Sequence, residues 1–159
     1  MILIKSDFSL LFHFKKKPFK MKTKRNLSVL ILVLIAQLGL AQYTLSIQVD
    51  EVKNAEGHIL AAVYTSKEAF LKFESVYKTC GAKSKAGTTL LTIKDLPKGI
   101  YAVAIFHDEN DNNELDTNML GIPKEPIAFS KGKMKLFGPP NFEDCAFILE
   151  ENMEIRTAL

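Results

Sequence analysis

Beyond Ala41, apolar and polar residues alternate with a period of two. Tyr43, Leu45, Ile47 and Val49 are interleaved with Thr44, Ser46, Gln48 and Asp50, the pattern of a strand with one buried face. Asn54-Ala55-Glu56-Gly57 is a turn signal and His58–Tyr64 reads as the returning strand, which predicts a hairpin. Thr65-Ser66-Lys67-Glu68 fits a capping box and predicts a short helix to about Phe73 that buries Phe70 and Leu71. Residues 78–87 read as a polar connection, followed by a strand over Thr88–Ile93. Leu96-Pro97-Lys98-Gly99-Ile100-Tyr101 then turns the chain into the strand Tyr101–His107.

That last strand is apolar on both faces, with Tyr101, Val103 and Ile105 on one and Ala102, Ala104 and Phe106 on the other. Such a strand lies inside its sheet and is covered by another part of the chain. The cover falls to residues 108–145, a long segment punctuated by Gly121-Ile122-Pro123, Glu125-Pro126 and Gly138-Pro139-Pro140. Its apolar anchors are Ile127, Phe129, Leu136, Phe137 and Phe142. Residues 146–149 and 153–159 are expected to close the chain as a second hairpin. Short strands separated by turn signals predict an all-β sandwich. Tyr101 follows a Leu-Pro-x-Gly-x turn, where a hydroxyl can return to nearby backbone as a tyrosine corner; the alternative is an ordinary core tyrosine.

Residues 22–41 carry the pattern of an export signal. Lys22, Lys24 and Arg25 precede the apolar run Leu27–Leu40, and Gly39-Leu40-Ala41 offers the small residues of a cleavage site before Gln42. The apolar run is shorter than the roughly 20 residues of a membrane span. Met21 is the expected initiator, and 42–159 the expected domain. The chain as a whole has 21 basic and 18 acidic residues, but residues 42–159 hold 13 and 17, a net charge of −4. The basic excess therefore belongs to the leader, and neither nucleic acid nor an anionic membrane is indicated as partner. Cys80 and Cys145 are the only cysteines. In an oxidising compartment they are candidates for one disulfide, against the alternative of two buried free thiols.

The chemistry-bearing residues concentrate after the two-faced strand. Asp108, Asn110, Asn112, Glu114 and Asp116 recur at every second position, the spacing from which oxygen-rich loops ligate calcium. Asn113 replaces the glycine such a loop uses at its sharp turn, and Met119 stands where the closing carboxylate of an EF-hand would be. The expectation is therefore a shorter oxygen site that borrows Glu125, Glu143 or Asp144. The alternative is an acidic turn whose side chains cap their own backbone. His107 beside these acids raises a second alternative, a hydrolase of cell-envelope material, but no serine, cysteine or second histidine stands at an interpretable spacing. One histidine is too few for zinc. Phe129, Phe137, Phe142, Pro139 and Pro140 are candidates for an apolar groove or for staples of the long segment, and Lys131, Lys133 and Lys135 read as a charged edge.

A series of motifs resembles a known bacterial family. Leu96-Pro97-x-Gly99-x-Tyr101-Ala102-Val103 is followed by His107-Asp108-Glu109-Asn110-x-Asn112-x-x-Leu115-Asp116 and by Gly121-Ile122-Pro123-x-Glu125. Phe129-Ser130 and Gly138-Pro139-Pro140-x-Phe142-Glu143-Asp144 complete it. The series resembles the exported family known as domain of unknown function 2141. The resemblance implies a Greek-key immunoglobulin-like or transthyretin-like sandwich with no established activity or ligand. The family's usual loop reads Asn-Gly-Asn-Gly where this chain has Asn110-Asp111-Asn112-Asn113, and Cys145 stands where alanine is common. The combined expectation is a monomeric, exported, non-enzymatic binding or accessory module.

Overall fold

The computed structural model describes residues 41–135 and 138–159. The proposed initiator and export signal lie outside the described residues, as do the anchors Leu136 and Phe137; the cleavage point after Ala41 falls at their boundary. Eight strands follow in order: β1 (Gln42–Val52), β2 (His58–Tyr64), β3 (Lys78–Lys83), β4 (Gly87–Pro97), β5 (Gly99–Asp108), β6 (Ile127–Phe129), β7 (Phe147–Leu149) and β8 (Met153–Ala158). A 3-10 turn spans Phe73–Ser75, and a single α-helical turn, α1, spans Phe142–Cys145.

The strands form two sheets. One has the order β4-β1-β8; the other has the order β3-β2-β5-β6, with β7 also paired to β5. β1 runs antiparallel to β4 and parallel to β8. The alternating apolar residues of both sheets meet in one core, with Leu45, Ile47 and Val49 from β1, Leu91 and Ile93 from β4, Ile59 and Val63 from β2, and Val103 and Ile105 from β5. Burial of apolar area on this scale is the main drive for the fold.

Two predicted hairpins are corrected. β1 and β2 belong to different sheets, as do β7 and β8. Alternation marks a strand with one buried face, but both sheets bury that face against the same core, so the pattern does not name the partner. The turn Asn54–Gly57 therefore crosses between layers: Asn54 Oδ1 accepts the Glu56 amide at 2.9 Å, and Gly57 takes φ 58°. A β-carbon on Gly57 would lie 1.8 Å from the carbonyl oxygen of Asp108, so only glycine lets the crossing rest on the end of β5.

The predicted helix after Thr65 is also corrected. One turn forms, with the Phe70 amide on the Ser66 carbonyl and the Ala69 amide on the Ser66 hydroxyl, and it ends where Leu71 adopts φ 61°. Phe70 anchors it edge-on to Tyr64 and Phe142. Residues 78–83, read as a connection, are strand β3, where Lys78, Cys80 and Ala82 are half-buried and Thr79, Gly81 and Lys83 exposed. Small and polar side chains hid that alternation.

Three expectations hold. Tyr101 donates its hydroxyl to the Pro97 carbonyl at 2.8 Å, and its ring packs over Gly99, where a β-carbon would come within 3.2 Å. β5 is central to its sheet. Its outer face is covered from the long segment by a second cluster of Ala102, Phe129 and Cys145, with Phe70, Ala104, Ile127 and Phe142 around it. Ser130 locks this cover: its amide donates to the Val103 carbonyl, its hydroxyl accepts the Val103 amide at 3.1 Å and donates to the Cys145 carbonyl at 2.6 Å.

Of the two alternatives for Cys80 and Cys145, the candidate disulfide is not formed. Both cysteines are free thiols, Cys80 packed against the core between the sheets and Cys145 in the outer cluster. Lys131, Lys133 and Lys135 lie outside any strand, and Lys135 pairs with Asp144 at 2.5 Å.

Candidate functional site

β5 delivers His107 and Asp108, both fully buried, to the end of the strand, and the oxygen-rich loop starts there. Asp108 sets its course. Its two carboxylate oxygens accept the amides of Asn112 at 3.1 Å and Asn113 at 2.8 Å, folding the next five residues back over the strand end. Asn110 Oδ1 accepts the Asn112 amide and Asn112 Oδ1 accepts the Glu114 amide at 2.7 Å, the Asx-turn pattern by which such side chains organise their own backbone. Asp116 receives the side-chain amides of Asn110 at 2.8 Å and Asn112 at 3.4 Å.

Glu125 closes the knot from the other side. It is nearly buried, and its carboxylate accepts the Glu109 amide at 3.1 Å and the Asp116 amide at 2.9 Å. Two carboxylates thus hold four backbone amides, each through charge-assisted bonds.

Of the predicted oxygen set, Asp108, Asn110, Asn112 and Asp116 come together, joined by Glu125 as one of the three acids considered. Glu114 contributes its amide while its residue is exposed, and Leu115 beside it is exposed as well. Glu143 and Asp144 sit on α1, packed beside the Ala102 part of β5 and about 20 Å along the strand from Asp108. Glu143 pairs there with Lys67; Asp144 caps the Asn141 amide, and Lys135 holds its carboxyl below the usual range. The oxygens of Asp108 and Glu125 are turned on amides of their own loop, and no cluster of three or more His, Cys, Asp or Glu side chains arranged for a metal occurs among the described residues.

His107 is equally committed. Its Nε2–H donates to the Glu56 carbonyl at 2.8 Å. Nδ1 has no hydrogen-bond partner among the described residues and lies 3.8 Å from Glu109 Oε1, which itself accepts the Asn54 side-chain Nδ2–H at 3.0 Å. The ring ties the β1–β2 crossing to the end of β5, and its complete burial keeps it from a dissolved substrate. His58 pairs with Asp111 on the outside of the same end.

Beyond the knot the chain rises into a compact turn that the sequence reading did not single out. Asn118 organises it: its amide donates to the Ile122 carbonyl, its carbonyl accepts the Gly121 amide, and its side-chain oxygen accepts the amides of Leu120 at 2.9 Å and Ile122 at 3.0 Å. Gly121 supplies φ 75°, and Thr117 pairs with Pro123 across the base. Met119 is fully exposed, Leu120 is 83 % exposed and Ile122 more than half exposed. Three large apolar side chains between Asn118 and Pro123, in a segment otherwise polar, were the available signal.

The family described as "Uncharacterized protein conserved in bacteria (DUF2141)" matches residues 47–156. The chain belongs to this family. The match runs from the middle of β1 through most of β8, and so includes the knot and the turn of this DUF2141 protein. Asp111 and Asn113 have φ 61° and 62°, left-handed values that glycine adopts freely, so the glycines of the Asn-Gly-Asn-Gly pattern fall where the backbone requires them. Here aspartate and asparagine take the same conformation, which both tolerate. The DUF2141 chain is also similar to cilia- and flagella-associated protein 43 of Mus musculus, 26% identical over 125 residues. That stretch is 79% of this chain and 7% of the mouse protein, so the chain spans a small fraction of that relative. No solved structure matches.

Proposed function

We propose that this DUF2141 chain is an exported, non-enzymatic binding module whose contact surface is the 117–123 turn, held out by the carboxylate knot beneath it. The observation that carries the reading is Met119, Leu120 and Ile122 exposed on a backbone braced at both ends. An exposed apolar group of this kind marks an interaction site, since each such side chain gains about 1.5–3 kcal/mol when buried. The pairing of the first strand with the last supports an immunoglobulin-like or transthyretin-like Greek-key sandwich as the frame. Export is supported by the leader pattern of residues 22–41.

Within this reading the oxygen-rich loop is a scaffold. Asp108 and Glu125 take the place that a calcium ion would hold, organising the loop through amides instead of through a shared cation. Envelope hydrolysis through His107 is disfavoured by the buried ring and its bond to Glu56. The test is retention of the purified protein on a bacterial envelope extract, compared with the Met119→Ser/Leu120→Ser/Ile122→Ser variant. Retention of the original chain and loss in the variant are expected. Equal retention of the two, or retention of neither, rejects the reading.

A further inference from the structure

We infer that, given the export proposed above, Gln42 becomes the amino-terminal residue of the domain and closes to pyroglutamate. This modification rests on the export reading and not on the role of the contact turn. Two separate observations meet at Gln42. The leader pattern places its cut between Ala41 and Gln42, with Gly39 and Ala41 as the small residues before it. The fold starts β1 at the same residue. The cut therefore releases a strand without an overhang, and the new α-amine belongs to a glutamine.

The freed amine attacks Cδ of its own side chain, and the new N–Cδ bond completes a five-membered lactam. The Cδ–Nε2 bond breaks and ammonia leaves with the proton lost by the amine. Nothing is oxidised or reduced, and no co-reactant is needed. The attack requires the unprotonated amine, and an α-amino group titrates at about 7.7–8.0, so a usable share is neutral at physiological pH. Nucleophile and carbonyl are held in one residue, which replaces a bimolecular encounter. Gln42 is exposed, so the ring forms without displacing core side chains.

The surroundings favour the neutral product. Gln42 lies opposite Pro97 in the β1–β4 register, and the next residue, Lys98, carries an ammonium already paired with Glu150 at 2.8 Å. A free α-ammonium would put a second positive charge at that end of the sheet, and the lactam removes it. The ring also seals a strand on which the layer depends. β1 lies between β4 and β8, Tyr43 packs against the core, and the Thr44 amide donates to Asn152 at 2.8 Å. Exopeptidases that start from a free α-amine find none there.

The test uses the full chain, expressed in an exporting bacterium, recovered from the envelope fraction and held for days at neutral pH. An amine-reactive label is applied to the intact protein first, so that ring closure during digestion is not counted. A glutamyl endopeptidase then releases the 42–51 peptide for mass analysis. A peptide lighter by one ammonia than its sequence, without an amino-terminal label, is expected. Gln42→Asn keeps the amide but is too short to close a stable ring, so it is expected to retain its ammonia and take the label. A labelled Gln42 in the original chain overturns the inference and leaves export intact. An amino terminus at any other residue overturns both. A blocked terminus in Gln42→Asn shows that the block is not the glutamine ring, and overturns the inference as well.

Discussion

Asp108→Asn is the sharpest probe of the carboxylate knot. The substitution keeps size and shape but replaces one acceptor oxygen with an NH2 group. Of the two amides now held at 3.1 and 2.8 Å, one loses its partner and faces a donor, and the other bonds to a neutral oxygen. A hydrogen bond to a charged group contributes about 1.5–3 kcal/mol and a neutral one about 1. Relief from burying the charge offsets part of the loss, so destabilisation of about 2 kcal/mol is expected. For 118 residues the unfolding entropy is roughly 0.25 kcal/mol/K, which places the fall in Tm near 8 °C. Urea unfolding monitored by circular dichroism measures it, with an unchanged m-value showing that the two end states are the same. The measurement is made in a chelator and again in millimolar calcium. If the carboxylate acts on backbone amides, the loss is equal in both. A loss below about 0.5 kcal/mol, or one that appears only with calcium, refutes the reasoning.

Four further outcomes are expected. Asn113→Gly relieves a left-handed residue and stabilises the chain by a few tenths of a kcal/mol to about 1, read from the same urea curves. Tyr101→Phe removes the hydroxyl bond to Pro97 and costs about 1 kcal/mol, with the carbonyl left to find water. Burial pushes the Cys80 thiol up to about 11 and raises that of Cys145 as well, so iodoacetamide at pH 8 labels the native protein slowly, while the unreduced, denatured protein takes two labels by mass. Arg156, with help from Gln48 and Thr88, lowers the Asp50 carboxyl from 3.8 to about 2. A carboxyl lowered by folding stabilises the native state above its unfolded value and loses that contribution as pH falls through 3.8 toward 2. Arg156→Gln should therefore narrow its stability gap from the original chain over that interval, and Asp50 should titrate closer to 3.8 by NMR.

The strands were legible in the sequence because burial on one face imposes a period of two, visible in β1, and burial on both faces leaves the continuous apolar run of β5. The corner was legible too, since Pro97, Gly99 and Tyr101 each have a separate steric role there. Pairing was not, because Leu45 and Ile59 face the same core from opposite layers and alternate alike. β3 escaped because Thr79, Cys80 and Gly81 carry too little apolar contrast. At the site, the membership of Asp108, Asn110, Asn112, Asp116 and Glu125 could be read, but the direction of their oxygens could not. A carboxylate that caps an amide and one that awaits a cation are the same residue at the same spacing. Only the path of Asn112 and Asn113 back over Asp108 separates them.

The parallel pairing of β1 with β8 joins the beginning and end of the domain. Asn152 accepts the amide of Thr44 across 108 positions, and Leu159 donates to Asp50. The β4-β1-β8 layer thus gains its lateral member only from a strand whose residues lie 108 positions beyond their partners in β1, as in Leu45 with Met153. Such distant closure slows folding.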